Sequence, residues 1–200
     1  MMPRLDHHAR SGSASLTAAV CTALLASALP SGLLGAQVVA DSAPGFAIVP
    51  GDDFSVHRTT NRRQFDIGYG IRAKGDTVTA DASGGYLCEA GFKSAPQNAS
   101  LTREQINTMV DNPDWRNVVR ANMNLIFEIV TEDTFTLQGY RGVELTMRPK
   151  GGAGGGLQVF MSMIETARGR TTMVCNSSMT GMATALTTFR TIRQQIRLPE

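Results

Sequence analysis

The chain has 200 residues, 42% of them hydrophobic and 18% charged, with a formal net charge of +2 at neutral pH. That length supports one well-cored domain and is short for two, so a single domain is expected. So small a net charge argues against nucleic acid and anionic membrane as bulk electrostatic partners.

The opening "MMPRLDHHAR" carries Arg4 and Arg10 and leads into the uncharged run "SLTAAVCTALLASAL", followed by Pro30, Ser31 and Gly32. A basic head, a short apolar middle and a small-residue exit describe a cleaved secretory signal peptide over residues 1–40. The run is too short and too rich in Ala, Ser and Thr for a membrane span, which needs about 20 strongly apolar residues. Cleavage sites end at Ala28, Ala36 or Ala40; "VVA" before Asp41 fits well, and Ala36 is poorer because Leu34 stands two residues before it. Removal leaves a mature domain over residues 41–200 without a membrane span. Loss of Arg4, Arg10 and Asp6 brings its charge near neutral, and the expected location is periplasmic or secreted. Cys21 leaves with the signal, so Cys88 and Cys175 remain as an even pair in an oxidising compartment. That favours a disulfide between them, with two separate buried thiols as the alternative.

In the mature chain "DSAPGFAIVP" offers a short strand around Phe46, Ile48 and Val49. "GDDFSVHRTTNRRQFDIGYGIRAKGD" holds two alternating segments, the clearer being Phe65, Ile67, Tyr69 and Ile71 at period two, which implies one buried and one wet face. Another strand is expected from Tyr86 to Phe92, with Cys88 inside it. The character then changes. Thr102 and Gln105 fit a capping box ahead of Ile106, Met109 and Val110, and Asn112, Pro113 and Asp114 start a second helix through Trp115, Val118, Val119 and Met123. Trp115 is placed in the core beside Val118 and Val119.

Four strands follow, "LIFEIVTEDTFTL", "GVELTMRP", "GLQVFMSMIET" and "RTTMVCNSSM", separated by "QGYRG", "KGGAGGG" and "ARGR". Glycine in each connection supplies positive φ, so the segment reads as an antiparallel meander. Met182, Leu186, Phe189, Ile192 and Ile196 then fall at helical spacing, giving an amphipathic helix stopped by Pro199. This order predicts a single α+β domain, with a central antiparallel sheet flanked by helices.

The C-terminal pieces carry a resemblance. The two strands of "LQVFMSMIETARGRTTMVCNSSM" joined at "ARGR", the closing helix of "ALTTFRTIRQQIRLP" and the strand–turn–strand "FTLQGYRGVELTMRP" resemble the ending of PsbP-like domains. The resemblance covers roughly Phe127 to Pro199. It implies an α/β/α sandwich around a central antiparallel sheet, serving as an extrinsic binding or assembly factor rather than an enzyme. No metal-ligand or partner-contact motif of that family is matched residue by residue, so no site is carried over.

Chemistry-bearing patterns are few. After signal removal only His57 remains among histidines, which excludes a multi-histidine zinc site, and no metal or other cofactor is expected. A hydrolase arrangement would have to use His57 with a spatially adjacent Ser or Asp, and no Gly-x-Ser-x-Gly elbow is present. In "RPKGGAGGGLQVF" Lys150 precedes the glycines and a strand follows, unlike a phosphate-binding loop that opens a helix. The acidic pairs Asp52–Asp53 and Glu132–Asp133 read as solvated turn residues. Arg58, Arg62 and Arg63 form a candidate anion-binding cluster, since guanidinium forks match carboxylate and phosphate; an anion or small-molecule carrier would use them. A charged, solvated strand edge is the plainer reading of that cluster. The leading reading is an exported, soluble, non-enzymatic protein that binds another envelope protein or supports an assembly.

Overall fold

The structure, a computed structural model, describes residues 39–40, 45–59, 64–75, 85–152 and 155–200. Seven strands form one sheet: β3 (Phe54–Thr59), β4 (Ile67–Ala73), β5 (Cys88–Ser94), β6 (Phe127–Leu137), β7 (Tyr140–Pro149), β8 (Leu157–Glu165) and β9 (Gly169–Ser178). A smaller sheet joins β1 (Val39–Ala40), β2 (Ala47–Ile48) and β10 (Ile196–Arg197). The large sheet runs β3-β4-β5-β9-β8-β7-β6, with every neighbouring pair antiparallel. The last four strands are therefore the expected meander. The chain's first three sheet strands join it at the β5–β9 seam.

Turn chemistry sets two of these registers. Gln138 and Gly139, at φ 51° and 81°, form a two-residue connection between Leu137 and Tyr140. Positive φ at both central positions matches the twist of a tight hairpin, and glycine accepts it without strain. In the β8–β9 connection Thr166 and Gly169 exchange backbone hydrogen bonds. A Cβ at Gly169 would lie 2.2 Å from the Lys93 carbonyl oxygen, so only glycine lets this turn close against the end of β5.

Helices cover the sheet on both sides. Helix α1 (Arg103–Asp111) starts at the Thr102–Gln105 capping box, with Thr102 N–H donating to Gln105 Oε1 at 2.8 Å and Gln105 N–H to Thr102 Oγ1 at 3.2 Å. Helix α2 (Pro113–Met123) starts one residue later, where the Asn112 side chain accepts from Asp114 N–H and Pro113 occupies the first turn. Val110 and Val119 pack against Val143, Leu145, Met147, Val159, Met161 and Met163 on one face. Helix α3 (Met182–Gln194) lies on the other, burying Met182, Ala185, Phe189 and Ile192 against Phe160, Ile164, Met173 and the two cysteines. Beside it the small sheet places Phe46 against Tyr69 and Phe92, with ring centroids 5.7 and 6.3 Å away. The architecture is thus α+β, with a central antiparallel sheet between helices.

Four local expectations are corrected. The closing helix ends at Gln194, and Ile196 belongs to β10, paired with Ile48; Gln138 fixes that turn away from helix by donating to the Ile196 carbonyl and accepting from Leu198 N–H. Glu132 and Asp133 lie within β6 and not in a turn, opposite Leu145 and Glu144. Val118 is 61% exposed, because Trp115, Val119 and Met123 take the sheet-facing side of α2. In β4 both faces are covered from Ile67 to Ile71, where one wet face was expected. Gly68 and Gly70 hold the second face; a Cβ on Gly68 would meet the Thr59 hydroxyl, and one on Gly70 the Tyr86 ring.

Candidate functional site

Cys88 and Cys175 stand directly opposite each other on β5 and β9 and are joined by a disulfide, both essentially inaccessible to solvent. The bond spans 87 residues of sequence at the seam between the two strand groups. Buried among Phe160, Ile71 and Phe189, it is a structural tie rather than a reactive pair.

The other residues singled out in the sequence do not converge. His57 and Arg58 are neighbours on the edge strand β3 and therefore point to opposite faces of the sheet; both are exposed. No hydrogen-bonding or ionic partner reaches His57 among the described residues, so no Ser or Asp is positioned by it. Arg62 and Arg63 lie outside the described residues, as do the signal run and Ala28 and Ala36. Asp52 and Asp53 are exposed in the turn before β3. Among the described residues no three His, Cys, Asp or Glu side chains gather as a metal site, and no helix is long and apolar enough to cross a membrane.

Among the described residues four charged clusters stand out, beside the exposed pairs Arg141–Asp111 and Arg103–Glu200. On the α3 face, buried Glu144 accepts from Arg190 at 3.0 Å through Nε, and from the Arg190 and Arg193 terminal nitrogens. Arg193 also lies over the Phe135 ring, 3.6 Å from its centroid. Burial pushes the Glu144 carboxyl up, but the two guanidinium partners outweigh it and hold the group below the ordinary carboxylate value. The same carboxylate raises Arg190, whereas burial dominates at Arg193 and lowers it. The difference follows from exposure, because the Arg190 side chain reaches solvent and that of Arg193 does not. On the α1–α2 face, Glu132 receives both Nε and a terminal nitrogen of Arg120 in a fork. That hydrogen bonding raises Arg120.

The remaining two clusters fix loops. Buried Glu165 accepts from Asn98 at 3.2 Å and Arg170 at 2.5 Å, holding the β8–β9 connection against the segment before α1. Asp66 accepts from Lys93 at 2.5 Å and from Ser94 N–H at 2.8 Å, which lowers its carboxyl to about 2. Each of these clusters pairs its charges internally. None presents an unengaged catalytic acid or base.

A shallow cleft between α2 and β6–β7 is lined by Arg116, Val119, Glu132, Val143 and Leu145 and opens to solvent. It has no interior room for a small molecule, whose pockets run to about 300–1,000 Å³. The surface beside it is more distinctive. Among the described residues five large apolar side chains are exposed, and four of them, Val118, Leu125, Ile126 and Val130, fall within residues 118–130. Leu125 and Ile126 connect α2 to β6, and Val130 is the extra residue of a β-bulge between Ile129 and Thr131. β6 is also an edge of the seven-stranded sheet. The sequence contained this signal as "NLIFEIV", but strand alternation drew attention to its inward residues and not to those left outside.

No protein-family model matches the chain, and no curated protein matches it. Among solved structures it is similar to cyanobacterial PsbP of Synechocystis, at 13% identity and TM-score 0.48, over 87% of this chain and 98% of that one. It is also similar to a Pseudomonas aeruginosa protein of unknown function, at 11% identity and TM-score 0.39, over 76% of this chain and 85% of that one. No partner or functional residue is taken from either.

Proposed function

We propose that the chain is an exported, non-enzymatic protein that binds another envelope protein or supports its assembly. The observation that carries this reading is the concentration of exposed apolar side chains at residues 118–130 beside an open sheet edge. Scattered apolar residues need no explanation, whereas a local concentration marks an interaction surface. The Cys88–Cys175 disulfide supports an oxidising compartment, and the basic, apolar, small-residue start of the sequence supports export by a cleaved signal. Cleavage after Ala28 or Ala36 retains β1, which pairs Val39 with Ile48; cleavage after Ala40 would delete that strand.

Cross-linking in intact cells, followed by identification of what is captured, tests this reading. A reproducible protein partner is expected, together with a processed N-terminus in the extracytoplasmic fraction. Absence of any partner would overturn it. So would loss of cellular function in a folded His57→Ala variant, since that outcome requires the lone mature-chain histidine to do chemistry.

A further inference from the structure

β6 is an edge of the seven-stranded sheet, guarded by a bulge and by charge rather than by a covering element. Its segment from Thr131 to Leu137 pairs without interruption with Thr146 to Tyr140 of β7, and among the described residues no strand pairs with its other side. The two-residue loop at Gln138–Gly139 makes Leu137 and Tyr140 a hydrogen-bonded pair. Antiparallel bonding alternates, so the amides of Leu137, Phe135, Asp133 and Thr131 face β7. Those of Glu132, Thr134 and Thr136 face outward. They form a short template of donors and acceptors for another strand.

Charge narrows the occupant. β6 carries Glu128, Glu132 and Asp133 and no Lys or Arg. Glu132 is engaged by Arg120, but Glu128 and Asp133 are exposed, and no hydrogen bond or ion pair is made by either among the described residues. Asp133 is felt electrostatically by Arg190, whose hydrogen bonds go to Glu144. A second copy paired edge to edge would bring three carboxylates from each β6 to one seam without a cation from either strand. A basic segment meets the acids with opposite charge. The apolar residues lie where such a segment would run past the bulge, at Val130, Ile126 and Leu125.

We propose that the outer edge of β6 from Thr131 to Leu137 takes an extended, basic segment of another protein as an added strand, anchored at its end on Leu125, Ile126 and Val130. This rests on the binding-protein reading above and specifies its surface. Thr134→Pro removes an outward N–H, which an edge strand tolerates because the ladder to β7 does not use it.

The test is selection of displayed random peptides of about twelve residues on the oxidised protein, with Thr134→Pro as the counter-target. Wild type should enrich peptides that alternate apolar residues with Lys or Arg. A synthetic representative should slow hydrogen exchange at Glu132, Thr134 and Thr136 and bind about tenfold more weakly to Thr134→Pro, the loss expected for one strand hydrogen bond. Glu128→Lys combined with Asp133→Asn, which leaves the backbone ladder intact, should weaken binding and should itself select peptides with fewer cations. Enrichment that ignores both variants overturns the proposal, as does protection confined to other strands. Self-association of wild type that Thr134→Pro abolishes would give the edge to a second copy and overturn it too. In cells, a partner captured equally by wild type and a folded Thr134→Pro leaves the binding reading standing and removes this one; capture by neither removes the binding reading.

Discussion

The two faces of the seven-stranded sheet are closed by different means. The α3 face is filled across β4 to β8 by large side chains, including Tyr69, Phe92 and Phe160, and contains the disulfide and the buried Glu144 pairing. The α1–α2 face has apolar packing over β6 to β8 with Val174 of β9 at its margin, where Val110 and Val119 meet Val143, Leu145 and Met161. Toward β4 and β5 that face is built from glycine. The Phe65 ring lies on Gly91 and the Tyr86 ring on Gly70, with Arg72 4.7 Å over Tyr86. Aromatic rings laid on strand glycines replace a covering helix. The difference teaches that a polar group on the fully closed face must be paired inside the protein, whereas its equivalent on the other face keeps water as a partner.

Removing one carboxylate from each face tests that contrast most sharply. Glu144→Ala strands Arg190 and the buried Arg193, and should lower stability by about 3–5 kcal/mol in denaturant titration. Glu132→Ala leaves Arg120, whose side chain is 42% exposed, and should cost about 1 kcal/mol or less. Equal losses would sink the distinction. A triple replacement of Glu144, Arg190 and Arg193 by Leu or Met should recover most of the first loss, because an apolar set needs no compensation.

The disulfide ties the α3 face across its seam. Replacing both cysteines by Ser should lower the denaturation midpoint by an amount equivalent to about 2–5 kcal/mol, with a closed loop of this length near the upper end in the chain-entropy account. An unchanged midpoint for oxidised wild type and variant would show that core packing alone holds β5 to β9. On the other face, Thr102→Ala removes the hydroxyl that accepts from Gln105 N–H in the α1 cap and should cost about 1 kcal/mol, read as a few degrees in Tm.

The smallest effect concerns pH. Asp66 is lowered from 3.8 to about 2 by its Lys93 and Ser94 partners, so its contribution is fully present above pH 3.8 and lost as pH falls through about 2. The pair is exposed and screened by salt, so the gain is modest. Asp66→Asn should flatten the acid slope of stability across that window, by a small loss above pH 3.8 and none below about pH 2. A slope identical to wild type would remove Asp66 from the acid response.

Much of the second half of the chain was legible locally. The capping box, Pro113 and the alternation of the last four strands each follow from short-range spacing, and the structure has α1, α2 and the meander where that spacing puts them. Ile196 misled because it continues the stripe of Met182, Phe189 and Ile192, yet Gln138, 58 residues away in sequence, bonds the backbone there and β2 pairs with it. Glu132 and Asp133 looked like turn residues for the same reason: an acidic pair is locally a turn signal, and its strand character is conferred by β7. Glu144 was hidden in the alternation of "GVELTM". A strand between two layers has no wet face, so its polar position had to find Arg190 and Arg193 on a helix 46 and 49 residues away.

By itself the sequence determined a single α+β chain with two capped helices, a meander, a closing amphipathic helix and one even pair of cysteines in the expected mature domain. These rest on periodicity, capping and composition, which act over a few residues. Tertiary structure alone decided that β5 and β9 are neighbours, that Cys88 faces Cys175, that Glu144 sits between two arginines, and that β6 is left at an edge with its acids and apolar residues outward. Those are consequences of strand order, and strand order is set by which distant segments bury one another's surface.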